Sequence, residues 1–81
     1  MTREFEVEGR RYRASFERAI TRGQRSVVAT AYDHTGRPVV RQEMNTTMAK
    51  GYLNRDTDAA APTWDELEEC ALQMLEVQVD E

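Results

Sequence analysis

The first 47 residues alternate apolar and polar side chains with a period of two, and this feature constrains the fold more than any other. Phe5 and Val7 alternate with glutamates, and Tyr12, Ala14 and Phe16 alternate with arginine, serine and glutamate. Because successive side chains of a strand point to opposite faces, the pattern is typical of strands with one buried and one solvated face. Three glycines interrupt it at points where the chain can reverse. The pattern predicts a meander of four antiparallel strands.

The first reversal is predicted at Gly9–Arg10, because glycine in the first loop position suits a type II′ turn. This register sets Val7 opposite Tyr12 and Phe5 opposite Ala14 on one face. On the other face it sets acidic residues opposite basic ones, in the pairs Glu8–Arg11 and Glu6–Arg13. A slip by one residue would bury these charges, so the assignment of faces is the firmer part of the prediction.

The second reversal is predicted at Arg22–Gly23. Folding back there gives the third strand an inner set of small apolar side chains. The predicted pairs are Ala14–Ala31, Phe16–Ala29 and Arg18–Val27. Small residues at the middle of the inner face leave room for a helix to pack across it.

Two registers compete for the fourth strand. A three-residue loop, His34–Gly36, would turn Arg41 and Glu43 into the core, and burying these charges without partners costs several kcal/mol. A two-residue Thr35–Gly36 turn keeps both charges in water and is therefore preferred. It sets Val40 by Ala31, Gln42 by Ala29 and Met44 by Val27. Pro38 predicts that this strand lies at an edge of the sheet, because proline cannot donate to a ladder.

Residues 48–62 lose the alternation and predict a connecting loop, part of which is either a short helical turn or mobile. Thr63 and Glu66 then form a capping box, which marks the start of a helix over residues 63–79. Its apolar residues fall on one broad face: Trp64, Leu67, Cys70, Ala71, Met74, Leu75 and Val77. Leu72 and Val79 widen this stripe beyond what one sheet needs, which favours a homodimer.

The predicted fold class is therefore α+β, a single domain over residues 1–81. A four-stranded antiparallel β-meander over residues 1–47 is followed by the loop 48–62. One C-terminal amphipathic α-helix over residues 63–79 packs across one face of the sheet (ββββα). Eighty-one residues with 40% hydrophobic positions allow only one small core.

Residues that carry chemistry are few, and the sequence predicts no enzyme, no catalytic residue, no metal site and no cofactor. His34 is the only histidine and sits beside a turn, and Cys70 lies within the apolar helix stripe. Residues 54–58 place oxygen ligands at alternate positions like the start of a calcium loop, but they lack its glycine and distal glutamate. The single cysteine, the lack of a long apolar run and the polar first residues predict a cytoplasmic chain without a membrane span.

Charge is distributed unevenly around the net value of −4. Residues 1–41 carry nine arginines against five acidic residues, whereas residues 42–81 carry two basic residues against ten acidic ones. Such asymmetry is compatible with a basic binding surface, and equally with two halves that attract each other.

The sheet face away from the helix is the predicted partner-binding surface. In the chosen registers it exposes an apolar patch rimmed by arginine: Arg11, Arg13, Val28, Thr30, Tyr32, Val39 and Arg41. Tyrosine and arginine contribute often to interface energies, so the prediction is a protein-protein interaction or regulatory module that binds another protein or a second copy. The alternative is single-stranded nucleic acid, with a base stacked on Tyr32 and phosphates on the arginines. Five glutamates on the same face make nucleic acid the less favoured partner.

Overall fold

The computed structural model describes residues 2–53 and 61–80. Four strands are followed by two helices: β1 (Thr2–Val7), β2 (Arg10–Thr21), β3 (Gln24–Tyr32), β4 (Pro38–Asn45), α1 (Thr46–Tyr52) and α2 (Trp64–Val79). The strands form one antiparallel sheet in the order β1-β2-β3-β4, and α2 packs against β3 and β4. The predicted α+β class, the meander and the helix across one face are confirmed. β4 lies at a sheet edge, as Pro38 predicts.

The β1–β2 turn differs from its prediction. Glu8 and Gly9 occupy the two loop positions with φ of 51° and 80°, a type I′ turn instead of a type II′ turn at Gly9–Arg10. Phe5 therefore pairs with Tyr12, and their rings stack with centroids 5.4 Å apart. The shift is two residues, so every side chain keeps its predicted face. Glutamates still oppose arginines, in the pairs Glu4–Arg13 and Glu6–Arg11.

The β2–β3 hairpin confirms its prediction. Arg22 and Gly23 form the two-residue turn with φ of 53° and 76°, again type I′. The pairs Ala14–Ala31, Phe16–Ala29 and Arg18–Val27 are all present.

The β3–β4 connection combines the two registers that the sequence offered as alternatives. The Asp33 N–H donates to the Arg37 carbonyl (2.9 Å) and the Gly36 N–H donates to the Asp33 carbonyl (3.0 Å). These bonds close the three-residue loop, so the predicted two-residue Thr35–Gly36 turn is wrong.

A β-bulge then restores the register that the two-residue turn would have given. Tyr32 pairs with Pro38 and Ala31 pairs with Val40, which leaves Val39 as the extra residue. The two-residue turn also predicts that Tyr32 pairs with Val39, and this is wrong. The predicted pairs Ala31–Val40, Ala29–Gln42 and Val27–Met44 are confirmed. The bulge keeps the charges of Arg41 and Glu43 out of the core, which was the energetic reason for choosing this register.

The chain leaves the sheet earlier than predicted. β4 ends at Asn45, whose side chain accepts a hydrogen bond from the Met48 N–H (2.8 Å) and caps α1. Residues 46–52 are therefore helical, where the pattern predicted the end of a strand and a loop with at most one helical turn. α1 packs against α2 and adds the buried Ala49 to the core. Residues 54–60 of that loop, which include the whole calcium-like segment 54–58, lie outside the described residues.

α2 begins at its predicted cap. The Thr63 hydroxyl accepts from the Glu66 N–H and the Glu66 carboxylate accepts from the Thr63 N–H, which completes the capping box. The core between α2, α1 and the sheet consists of small and medium apolar side chains: Ala14, Phe16, Val27, Ala29, Ala31, Met44, Ala49, Leu67, Cys70, Ala71, Leu72 and Leu75. Leu72 is buried within the chain itself, whereas Val77 is 59% exposed and leaves the predicted apolar face.

A polar cluster that the pattern did not predict fastens α2 to the projecting end of β2 and β3. The Glu68 side chain is 6% exposed and accepts from Arg18 Nε at 2.9 Å. Arg18 and Arg25 lie over the Trp64 ring at 5.4 and 5.5 Å from its centroid. The hydrogen bond that Arg18 donates to the Glu68 carboxylate raises the pKa of Arg18 above its ordinary value. Arg18 and Glu68 are 50 positions apart in the sequence, and the periodicity within one strand or one helix does not indicate that they meet.

Candidate functional site

The outer face of the sheet, opposite the helices, carries the predicted site residues in rows that cross the strands. One row runs Glu4–Arg13–Tyr32–Pro38, and the next runs Ser15–Thr30–Arg41. Arg11, Arg13 and Arg41 are exposed, while Val28, Thr30 and Tyr32 are half-buried. The predicted side of the sheet is correct for these six residues. Tyr32 lies opposite Arg13 and next to the row that holds Arg41.

Two depressions open at the end of the sheet where the β1–β2 turn and the β3–β4 loop project. They exist because the ladder between β2 and β3 ends at Arg13–Tyr32, so Arg10–Tyr12 has no β3 partner. The outer cleft has a volume of about 630 Å³. Its lining consists of Glu4, Arg11, Tyr12, Arg13, Tyr32, Asp33, His34, Thr35 and Gly36. Three predicted site residues therefore meet at one concave surface.

Val39 is separated from all of the other predicted site residues except Arg11. It is 45% exposed and lines the inner cleft, a depression of about 770 Å³. Val40 of β4 and Gln78 and Val79 at the end of α2 also line this cleft. The bulge is the cause, since the extra residue removes Val39 from the position opposite Tyr32. Arg11, Tyr12, Asp33 and His34 line both clefts.

Asp33 holds the loop that forms one wall of both clefts. Its Oδ1 accepts from the Thr35 hydroxyl, from the Thr35 N–H at 2.9 Å and from the Arg37 N–H at 3.0 Å. The Thr35 hydroxyl, with the backbone donors and His34 nearby, lowers the pKa of Asp33 below its ordinary value. The wall is therefore pre-formed while this carboxylate is ionised.

The arginines of the outer face differ in how far they are neutralised. Arg13 lies 3.6 Å from the Glu4 carboxylate, and both side chains are more than half exposed. Arg11 and Arg41 make no ion pair with any residue in the described ranges 2–53 and 61–80. Their guanidinium groups are available to a carboxylate or another planar acceptor of a partner.

A contact between two carboxyl groups lies at the same end of the molecule and involves the β1–β2 turn. Glu8 shares a side-chain hydrogen bond with Asp80 at the end of α2, and this bond together with the repulsion between the two carboxylates raises the pKa of Glu8. Glu8 and Asp80 thus lie together on the helix side of this hairpin, whereas Glu4 and Glu6 lie on the outer side with Arg11 and Arg13.

Tyr12, Asp33 and His34, which line both clefts, were not among the predicted site residues. Tyr12 was assigned to the inner face and His34 to a solvated turn, and Asp33 was given no role. These three residues come together only where the β1–β2 and β3–β4 hairpins separate. That separation depends on the bulge in β4 and on the end of the β2–β3 ladder at Arg13–Tyr32. The Asp33-x-Thr35 pattern was a usable signal, because such a carboxylate commonly accepts from the residue two positions later.

Within the described part of the chain, no group of three or more His, Cys, Asp or Glu side chains is placed to hold a metal ion. Neither described helix is long and apolar enough to cross a membrane. Comparisons with protein families, with curated proteins and with solved structures found no match to this chain.

Proposed function

We propose that this protein is a non-enzymatic binding module that docks another protein on the outer face of its sheet, around Tyr32 and the outer cleft. One observation carries the proposal: a half-buried tyrosine ring lies among arginines, two of which have no ion pair within the described chain. Exposed arginines beside an aromatic ring at a concave surface are typical of residues that dominate protein interfaces.

The arrangement supports a partner that supplies carboxylates around an apolar centre. Arg41 is the diagonal neighbour of Tyr32 on the outer face, and Arg11 lines the cleft that Tyr32 also lines. A partner side chain seated against the Tyr32 ring would therefore be flanked by two guanidinium groups. The rigid loop held by Asp33 reduces the conformational entropy that such docking costs.

The same charges argue against a nucleic acid as the partner. Glu4 lies 3.6 Å from Arg13, and Glu6, Glu17 and Glu43 are exposed on this face. The chain has a net charge of −4, whereas sheets that bind nucleic acid carry a positive excess. The proposal places the protein in the cytoplasm, supported by its single cysteine, which is typical of reducing compartments.

The test compares four tagged baits, wild type and three variants, in extracts of the native host treated with nuclease. Arg41→Asp and Tyr32→Ala alter the proposed surface. Arg22→Asp is the matched control, because it makes the same charge change in the β2–β3 turn, and aspartate tolerates the positive φ of this position. The expected result is a protein retained by wild type and by Arg22→Asp and lost with both surface variants.

The captured protein is then purified and titrated against each variant. We expect each surface substitution to weaken the dissociation constant at least tenfold, which corresponds to about 1.4 kcal/mol. Equal affinity of all variants would contradict the proposal. Binding of a labelled single-stranded oligonucleotide at low salt that Arg41→Asp abolishes would instead establish the nucleic-acid alternative.

A further inference from the structure

The second half of β2 has an open edge. β1 begins at Thr2, which pairs with Ser15, so among the described residues no strand pairs with Phe16–Thr21 on the side away from β3. We call this segment the open edge. It includes Ile20, which at 66% is the most exposed large apolar side chain of the described residues.

The backbone groups of the open edge can be assigned from the hairpin. A two-residue turn closes on a pair that exchanges both hydrogen bonds, here Thr21 with Gln24. Since hydrogen bonding alternates along an antiparallel strand, residues 21, 19 and 17 bond to β3. The N–H and C=O groups of Phe16, Arg18 and Ile20 therefore point away from β3, toward the side on which no described strand lies.

The other edges of the sheet are protected against added strands. β4 carries Pro38, a bulge at Val39, and the Gln42 side chain, which donates to the Glu43 carbonyl at 2.8 Å. β1 carries the exposed Glu4 and Glu6. The open edge has neither proline nor bulge, and its one cation, Arg18, is already paired with Glu68.

We propose that a second copy of this chain pairs with the open edge, antiparallel and about a twofold axis through Ala19. The two sheets become one eight-stranded sheet with both helical layers on the same side. This surface is separate from the outer cleft, so the dimer does not rest on the proposed function.

The register follows from the charges on the edge. A twofold axis perpendicular to the sheet allows only registers centred on a residue, because opposite residues must share a face. Centring on Glu17 or on Arg18 places two like charges directly opposite each other, and centring on Ile20 sets Arg18 opposite the second copy's Arg22. Each of these contacts is destabilising. Centring on Ala19 sets Arg18 opposite the second copy's Ile20, and each apolar side chain then covers the aliphatic part of an arginine.

The first test measures the oligomeric state of the full chain by sedimentation from low to high micromolar concentration. We expect wild type to reach twice the monomer mass of 9.4 kDa. Ile20→Pro removes an N–H that points away from β3, so it leaves the intramolecular ladder intact and weakens the dimer at least about tenfold. Ile20→Val is the matched control and is expected to dimerise like wild type.

The second test determines the register between the two copies of β2 from the positions at which a disulfide forms. Opposite residues without direct hydrogen bonds have Cα atoms about 4.5 Å apart, which is within the range for a disulfide. Ala19→Cys is therefore expected to cross-link two chains under mild oxidation. Thr21→Cys is the control, because the two cysteines would lie about 13 Å apart along the strands. The native Cys70 is buried and is not expected to react.

A wild-type chain that stays monomeric to high micromolar concentration overturns the proposal. So does a dimer that survives Ile20→Pro but dissociates with Val77→Asp, since that result assigns the interface to the exposed side of α2. Cross-linking at residue 17 instead of residue 19 overturns the register. Tyr32→Ala must leave the dimer unchanged, and this separates the failure of the dimer from the failure of the proposed function.

Discussion

Arg22, in the β2–β3 turn, has a left-handed backbone conformation that arginine rarely adopts, with φ of 53°. Asparagine enters this left-handed region more readily, and Asn-Gly is the preferred pair of a type I′ turn. We therefore expect Arg22→Asn to raise the free energy of unfolding by about 0.5 to 1 kcal/mol. Urea denaturation measures the change.

The adjacent glycine gives the control for this prediction. Gly23 has φ of 76°, and a Cβ added to it would meet nothing within 4 Å, so Gly23→Ala should destabilise through backbone strain and not through a clash. If Arg22→Asn leaves the unfolding midpoint unchanged while Gly23→Ala lowers it, the turn does not depend on the conformational preference of residue 22.

The ionisation of Asp33 makes the stability of the folded chain depend on pH. Its pKa is lowered in the folded chain by the hydrogen bond from Thr35 and by the backbone donors, so its stabilising effect is present above the unfolded pKa. That effect is lost as the pH falls through the lower folded pKa. We expect wild type to be more stable than Asp33→Asn at pH 7 and the difference to vanish in strongly acidic solution. Thermal unfolding of both chains between pH 2 and 7 tests this, and a constant difference would contradict it.

At the scale of the elements, Glu68 is expected to fix how α2 sits on the sheet. Its carboxylate is 6% exposed and bonded to Arg18, so Glu68→Ala removes a buried partner. Because Arg18 remains 44% exposed and regains water, the expected loss is about 1 to 2 kcal/mol and not that of a fully buried pair.

Glu69 provides the matched control on the same helix. It also pairs with an arginine, Arg3, but both side chains are about half exposed. Exposed pairs contribute little, so Glu69→Ala should cost less than about 0.5 kcal/mol in urea denaturation. Equal losses for the two substitutions would show that the burial of Glu68 has no energetic consequence.

At the scale of the whole molecule, the two faces of the sheet should respond differently to truncation. Phe16 is 7% exposed beneath α2, and Phe16→Ala should cost about 3 kcal/mol or more through the cavity it leaves. Tyr32 is half-buried on the outer face, so Tyr32→Ala should cost less than half as much. Chemical denaturation of the two variants compares them directly. A larger loss for Tyr32→Ala would mean that this ring belongs to the core.

How far the sequence predicts the fold can be seen at particular residues. The alternation assigned Ala14, Ala29 and Ala31 to the inner face correctly, because a one-residue slip would bury charge. It placed the first turn wrongly, because a shift by two residues changes no face and thus leaves the hydrophobic pattern unaltered. The short helix α1 was predicted only as one of two alternatives, a short helical turn within residues 48–62, because its hydrophobic signal is weak over seven residues.

The candidate site was predictable in part for the same reason. The alternation of apolar and polar side chains placed four of the predicted site residues on one face, and they lie there in the structure: Arg11, Arg13, Tyr32 and Arg41. It misplaced Val39, since a bulge inserts one residue without any mark in the alternation. It also missed Tyr12 and His34, which reach the clefts through the gap between two hairpins.

By itself, the sequence determined which side of each strand faces the helix and where α2 begins. Both are local properties, set by the free energy of burying charge and by the hydrogen bonds of one capping box. Only the tertiary structure decided the bulge at Val39, the contact of Glu68 with Arg18, the clefts and the open edge of β2. These features depend on how elements far apart in the chain meet, and their energies appear only when both partners are in place.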